Sequence, residues 1–201
     1  MLGDLFDYWV GPAQASLPGA PIVLDALARF TTRGGTLDVA VGNRDFLLDE
    51  SFAKRTGARL RPRGLIGLLP GGARALLVHG DELCTLDRGY QRLRAVLRSG
   101  PVRALGPRLP LPIALRLARR LRRASTRALL VKPSAEKSMQ ADAARAAAER
   151  EGCAYVLCGH AHEFRDELLR GGVRWFVLDA FGGERGVARV TSGGGLELGQ
   201  V

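Results

Sequence analysis

Four times in this chain a short apolar run ends on a string of Asp, Asn or His, and that repetition constrains the fold more than any other feature. Leu2 opens LGDLF and delivers Gly3-Asp4. Leu37–Val41 (LDVAV) runs into Gly42-Asn43-Arg44-Asp45. Arg74–His79 (RALLVH) runs into HGDE, and Ala154–Cys158 (AYVLC) into Gly159-His160-Ala161-His162. Short apolar runs bounded by turn residues read as buried strands, and layered α/β domains carry their chemistry on loops at strand tips. The pattern implies an α/β fold whose polar donors gather along one edge of the sheet.

Helices are expected between these strands. Ile22–Phe30 has helical spacing of apolar residues, Phe46–Thr56 reads as a short helix closed by Gly57, and Gln140–Glu151 is rich in helix formers up to Gly152. Val173–Leu178 and Val187–Val190 read as closing strands. No internal repeat or low-complexity linker interrupts the chain. Its 201 residues suit one domain, 1–201, with a core of its own.

All three histidines fall inside the ligand strings, so none is spare. Asp, Asn and His donors suit manganese, iron(II) or zinc better than calcium or a thiolate site. Two metal ions roughly 3.5–4 Å apart need a bridging carboxylate and several neutral ligands. Asp4 is the natural bridge, Asn43 gives a neutral oxygen, and His79, His160 and His162 give imidazole nitrogens. Arg44 carries no metal and would offer a fixed cation to a phosphate oxygen. Asp45 fits support of the loop better than a metal. In this order the strings look like a binuclear phosphoesterase site.

Composition narrows the partners. Cysteines are three (Cys84, Cys153, Cys158), without paired spacing, which fits a reducing compartment. Cys158 reads as a small buried residue ending a strand rather than as a ligand. The opening MLGDLFDYW lacks the pattern of a secretory signal, and no apolar run approaches the ~20 residues that span a bilayer. The net charge of +10 is concentrated: Arg88 to Lys132 holds twelve Arg and one Lys with no acid, so the remainder is −3. Apolar spacing there suggests two short amphipathic helices, broken between by Pro101, Pro107, Pro110 and Pro112. No aromatic residue lies between Tyr90 and Tyr155 on which bases could stack, which argues against nucleic acid.

These strings resemble the calcineurin-like metallophosphoesterases and, within them, the UDP-2,3-diacylglucosamine hydrolase family of lipid A biosynthesis. GNRD followed by FLL, GDLFDYW, and HGDELCTLDRGYQRLR carry the resemblance, which covers nearly the whole chain and weakens from Pro101 to Met139. It implies a four-layer αββα sandwich, two manganese ions, and a helical lid inserted over 91–137. It also implies water attack at the α-phosphorus of UDP-2,3-diacylglucosamine, giving UMP and 2,3-diacylglucosamine 1-phosphate. Asp4 would bridge the metals; Asn43, His79 and His160 would complete one, and His162 would serve the other. Arg44, Asp87 and Tyr90 match substrate-contacting positions, as do Ser125 and Lys132 in the lid. The Arg-rich lid would then meet anionic lipid, placing the protein in the cytoplasm, peripheral on the inner face of the membrane.

The chain departs from that pattern at three places. GHAH is followed by Glu163-Phe164 where the family has Arg-Pro, and Ala161 removes a hydroxyl but no ligand. An Asp-x-His motif on a first strand ahead of Gly3-Asp4 is also implied, and no Asp-x-His occurs here. The expectation is that this strand lies upstream of Met1. One metal would then keep four ligands and the other only Asp4 and His162. Two alternatives remain: another calcineurin-like phosphodiesterase acting on nucleotides, or a catalytically impaired lipid-binding relative.

Overall fold

The computed structural model describes residues 1–191 and 196–200. Helix α1 (Ala20–Thr32) begins with proline in its first turn, where the missing N–H has no intrahelical partner to lose. It is followed by β1 (Asp38–Ala40), α2 (Glu50–Thr56), β2 (Arg59–Arg61), β3 (Leu65–Leu68) and β4 (Arg74–Leu77). The basic stretch forms α3 (Arg88–Leu97), α4 (Gly100–Leu105), α5 (Leu111–Val131) and α6 (Ser134–Lys137). Then come α7 (Ala141–Glu151), β5 (Tyr155–Cys158), β6 (Arg165–Leu168), β7 (Arg174–Val177), β8 (Val187–Val190) and β9 (Leu196–Gly199).

The centre is a mixed sheet in the order β3-β4-β5-β7-β6. Strands β4, β5 and β7 run parallel, and β3 and β6 flank them antiparallel. Side chains alternate across it. Leu76, Val156, Cys158, Trp175 and Val177 face α7, whose Ala144 and Ala148 are fully buried and let the helix lie close. Ala75, Leu157 and Phe176 face the other way, under Ala188, Leu196 and Leu198 of the β8–β9 hairpin. Each large apolar chain buried this way stabilises by about 1.5–3 kcal/mol. A second core around Trp9, Leu24, Val39, Leu48 and Phe52 packs α1 and α2 beside the parallel pair β1–β2. The chain is thus an α/β protein built on a central mixed sheet.

Two expectations are corrected. The helix read from Phe46 starts only at Glu50, where the Asp49 side chain accepts from Phe52 N at 3.3 Å. The Asp45 carboxylate is committed to the Gly42 and Leu5 amides, so the residues ahead of Asp49 fold as a turn. The basic stretch makes more than two short helices. Pro101 and Pro112 sit in the first turns of α4 and α5 and start them rather than break them. Helix α5 runs 21 residues and buries only Ala114, leaving Leu130 and Val131 more than four-fifths exposed. No helix among the described residues is long and apolar enough to cross a membrane.

Candidate functional site

Backbone pairing carries the four strings to one place. Beyond the ends of β4 and β5, Val78 N donates to Leu157 O (3.1 Å) and Gly159 N to His79 O (3.0 Å), so HGDE and GHAH emerge side by side. On the smaller sheet, Met1 N donates to Asp38 O (2.8 Å) and Ala40 N to Met1 O (2.9 Å), which lays Gly3-Asp4 beside the loop after β1. Asp45, fully buried, ties those two loops: its carboxylate accepts from Leu5 N at 2.8 Å and from Gly42 N at 2.7 Å. Glycine is required where the loops cross. Gly3 has φ +88°, and a Cβ there would lie 2.7 Å from Gly42 N and 2.9 Å from His79 Nδ1.

Three side chains converge on the Nε2 atom of buried His79, making a set of four with it. Its other nitrogen, Nδ1, faces the Leu2 carbonyl at 2.8 Å. A carbonyl only accepts, which assigns a ring hydrogen to Nδ1; in the neutral ring Nε2 then keeps its lone pair. Asn43 Oδ1 lies 3.0 Å from Nε2, His160 Nδ1 3.2 Å and Asp4 Oδ1 3.6 Å. With the His160 tautomer that leaves Nδ1 free, these atoms turn lone pairs toward a common point, the arrangement a cation would use. A metal-binding histidine characteristically donates its second N–H to a backbone carbonyl, as His79 does to Leu2. Among the described residues no three His, Cys, Asp or Glu side chains, Asp4, His79 and His160 included, are already set as a metal cage. The chemistry of the convergent four fits a divalent cation of borderline hardness.

Backbone strain marks two of these residues and the neighbouring His162. Among the described non-glycine residues, positive φ occurs at Asp4 (54°), His160 (68°) and His162 (54°). Such conformations cost about 1–3 kcal/mol each and persist where surrounding structure over-determines them, often at functional sites. Burial, then the neighbouring charge of His79, lowers the His160 pKa to about 4. That ring is neutral at pH 7, the form a metal requires. Cys158 is not part of the set: it lies in the core accepting from Trp175 Nε1 at 3.3 Å, and burial pushes its thiol up to about 12.

The remaining residues expected at the site fall into two groups. Arg44 stands beside the donors, its Nε 3.2 Å from Asp4 Oδ2 and its backbone N donating to Asp4 Oδ1 at 2.9 Å. A third of its side chain stays exposed. His162 occupies the exposed side of its loop, outside the convergent four. Asp87 caps α3 by accepting from Tyr90 N at 2.9 Å and also pairs with Lys132 beyond the end of α5. The Tyr90 hydroxyl donates to Asp81 Oδ2 at 2.6 Å, and Ser125 lies exposed on α5.

Sequence reasoning missed Asp81. Although fully buried, it accepts from Tyr90, Arg94 and Arg98. The signal was available: positions 90, 94 and 98 form one helical stripe opposite the acid of HGDE. Burial opposes charge on Asp81, yet a hydrogen bond from Glu82 and the charges of Arg98, His79 and Arg94 hold its carboxyl well below the usual range.

The fold is that of an α/β protein whose Asp, Asn and His side chains gather at its strand tips. No family model matches the chain. It is 35% identical over 201 residues to the UDP-2,3-diacylglucosamine hydrolase of Aeromonas salmonicida, covering all of this chain and 74% of that one. Against the hydrolase of the same name from Neisseria meningitidis it is 30% identical over 98% of this chain and 81% of the relative. Against that of Ralstonia nicotianae it is 36% identical over 89% and 70%. Among solved structures, a single-site variant of Vps29 from Entamoeba histolytica aligns over 90% of this chain and 74% of its own, with a TM-score of 0.35 and 12% identity. That last likeness is too loose to support any argument. The chain belongs to the UDP-2,3-diacylglucosamine hydrolase family.

Proposed function

We propose that this chain hydrolyses the pyrophosphate of UDP-2,3-diacylglucosamine, adding water at the α-phosphorus and releasing UMP and 2,3-diacylglucosamine 1-phosphate. The observation that carries the reading is the convergence of Asp4, Asn43 and His160 on Nε2 of His79, in a chain of that hydrolase family. Asp4, Asn43, His79 and His160 would hold one manganese ion, and Asp4 with His162 would contribute to a second. When bound, such ions draw off phosphoryl charge and make water acidic enough to attack at neutral pH.

The protein's own residues do the rest. Leu2 O fixes the His79 tautomer, and Asp45 holds the two loops that present Asp4 and Asn43. Arg44 is partly exposed next to Asp4, so its planar fork can reach a phosphate oxygen without crossing the core. Asp87, Tyr90, Lys132 and Ser125 would contact the sugar end of the substrate. In this reading residues 1–201 form one four-layer αββα domain, and 91–137 is a basic lid. The exposed Arg and Leu side chains of α5 suit a surface that meets anionic lipid headgroups and acyl chains, on the cytoplasmic face of the inner membrane. The test is manganese-dependent UMP release from UDP-2,3-diacylglucosamine. Wild type should release UMP and His79→Ala should not; equal rates would overturn the proposal.

A further inference from the structure

One guanidinium nitrogen reaches both halves of the site. Arg98 NH2 donates to Val41 O at 3.1 Å and Gly42 O at 3.2 Å, the two carbonyls immediately ahead of Asn43. The same nitrogen lies 3.2 Å from both carboxylate oxygens of Asp81, two residues beyond His79. Its partner NH1 reaches Pro62 O at 3.3 Å. Gly42 is the crossing point of the ligand loops: its N–H is held by Asp45, and a Cβ on it would collide with the Asp4 backbone and carboxylate. A restraint on the Gly42 carbonyl therefore also restrains where Asp4 and Asn43 stand relative to His79.

Arg94 provides the internal comparison. It lies one turn earlier on α3 and donates to Asp81 Oδ2 at 2.7 Å, with Glu82 3.7 Å away. It neutralises the same buried carboxylate, but no bond of its own runs to the Asn43 loop among the described contacts. We propose that Arg98 is a positioning residue that locks the Asn43 loop to the His79 loop, and that α3 serves through it as a strut of the metal site. This rests on the reading of Asp4, Asn43, His79 and His160 as metal ligands.

The test is titration of metal-stripped full chain with manganese chloride, followed by calorimetry, with melting temperature measured in parallel. Arg98→Met should weaken manganese binding about 10–100-fold, the usual scale for losing a group that orients a ligand. Arg94→Met should lower the melting temperature comparably while keeping wild-type affinity. Arg98→Lys keeps a counter-charge for Asp81 but cannot span both carbonyls and the carboxylate, so its affinity should fall between. If Arg98→Met does not fold, Arg98→Lys against Arg94→Lys reads the same difference. Wild-type affinity in the Arg98 variants, or equal losses at positions 94 and 98, would overturn the proposal while leaving the metal reading in place. A wild-type chain that takes up no manganese would overturn both.

Discussion

Replacing Asp45 with Asn tests how the ligand loops are held. Asp45 is fully buried, with one oxygen on Gly42 N at 2.7 Å and the other on Leu5 N at 2.8 Å. Asn has almost the same shape, but only one oxygen. One N–H is left facing an amide NH2, a buried unsatisfied donor that costs about 1–3 kcal/mol. The surviving bond also loses its charge, bringing the sum to about 2–4 kcal/mol. Burial, then the charge of Asp4, raises the Asp45 pKa, so removing the charge relieves some strain and favours the lower end. A loss of about 2 kcal/mol is a sizeable part of the 5–15 kcal/mol typical of a domain. In urea it should shift the unfolding midpoint by about 1 M. Manganese affinity should fall about tenfold with unchanged stoichiometry, because the loops loosen but every ligand remains. An unchanged midpoint and affinity would refute the tie. A lost manganese equivalent at an unchanged midpoint would instead make Asp45 a ligand.

Three further outcomes are expected. Arg44→Ala should lower kcat about 10²–10³-fold, the scale of losing one preorganised electrostatic partner, while calorimetry shows manganese uptake retained; Arg44→Lys should recover only part of the rate. In the metal-free protein, the His160 pKa of about 4 lies below the ordinary 6.5, so the unfolded chain binds the extra proton in that window. Its contribution to stability is complete above pH 6.5 and lost as pH falls toward 4; melting temperatures that rise on acidification across this range would contradict the assignment. Neutralising Arg120, Arg123 and Arg127 with Gln should weaken binding to vesicles containing anionic lipid by about fivefold per residue, from about 1 kcal/mol each. Sedimentation with the vesicles reads this out, and undiminished binding would remove α5 from the membrane surface.

The parts of the fold that announce themselves in the sequence are those whose burial is local. Apolar runs such as RALLVH and AYVLC have to become buried strands, and the alanines before Gly152 must become a helix lying flat on the sheet. Strands β2, β3 and β6 gave little sign. RLR and RDEL are mostly charged, LIGL contains a glycine, and all three take their stability from one neighbouring strand rather than from their own pattern. At the site, the donor strings could be read because residue type and order declare them. The wiring between them could not. That Asp45 joins Leu5 to Gly42, or that Arg98 joins Asp81 to Gly42, depends on contacts across 17 to 56 residues of chain. Only the stripe of Tyr90, Arg94 and Arg98 could have hinted at the second.

The most direct test of the hydrolytic account is to run the reaction with manganese in water enriched in oxygen-18 and weigh both products by mass spectrometry. Attack at the α-phosphorus predicts one heavy oxygen in UMP and none in 2,3-diacylglucosamine 1-phosphate. Label in the sugar phosphate, or no UMP at all, would contradict it.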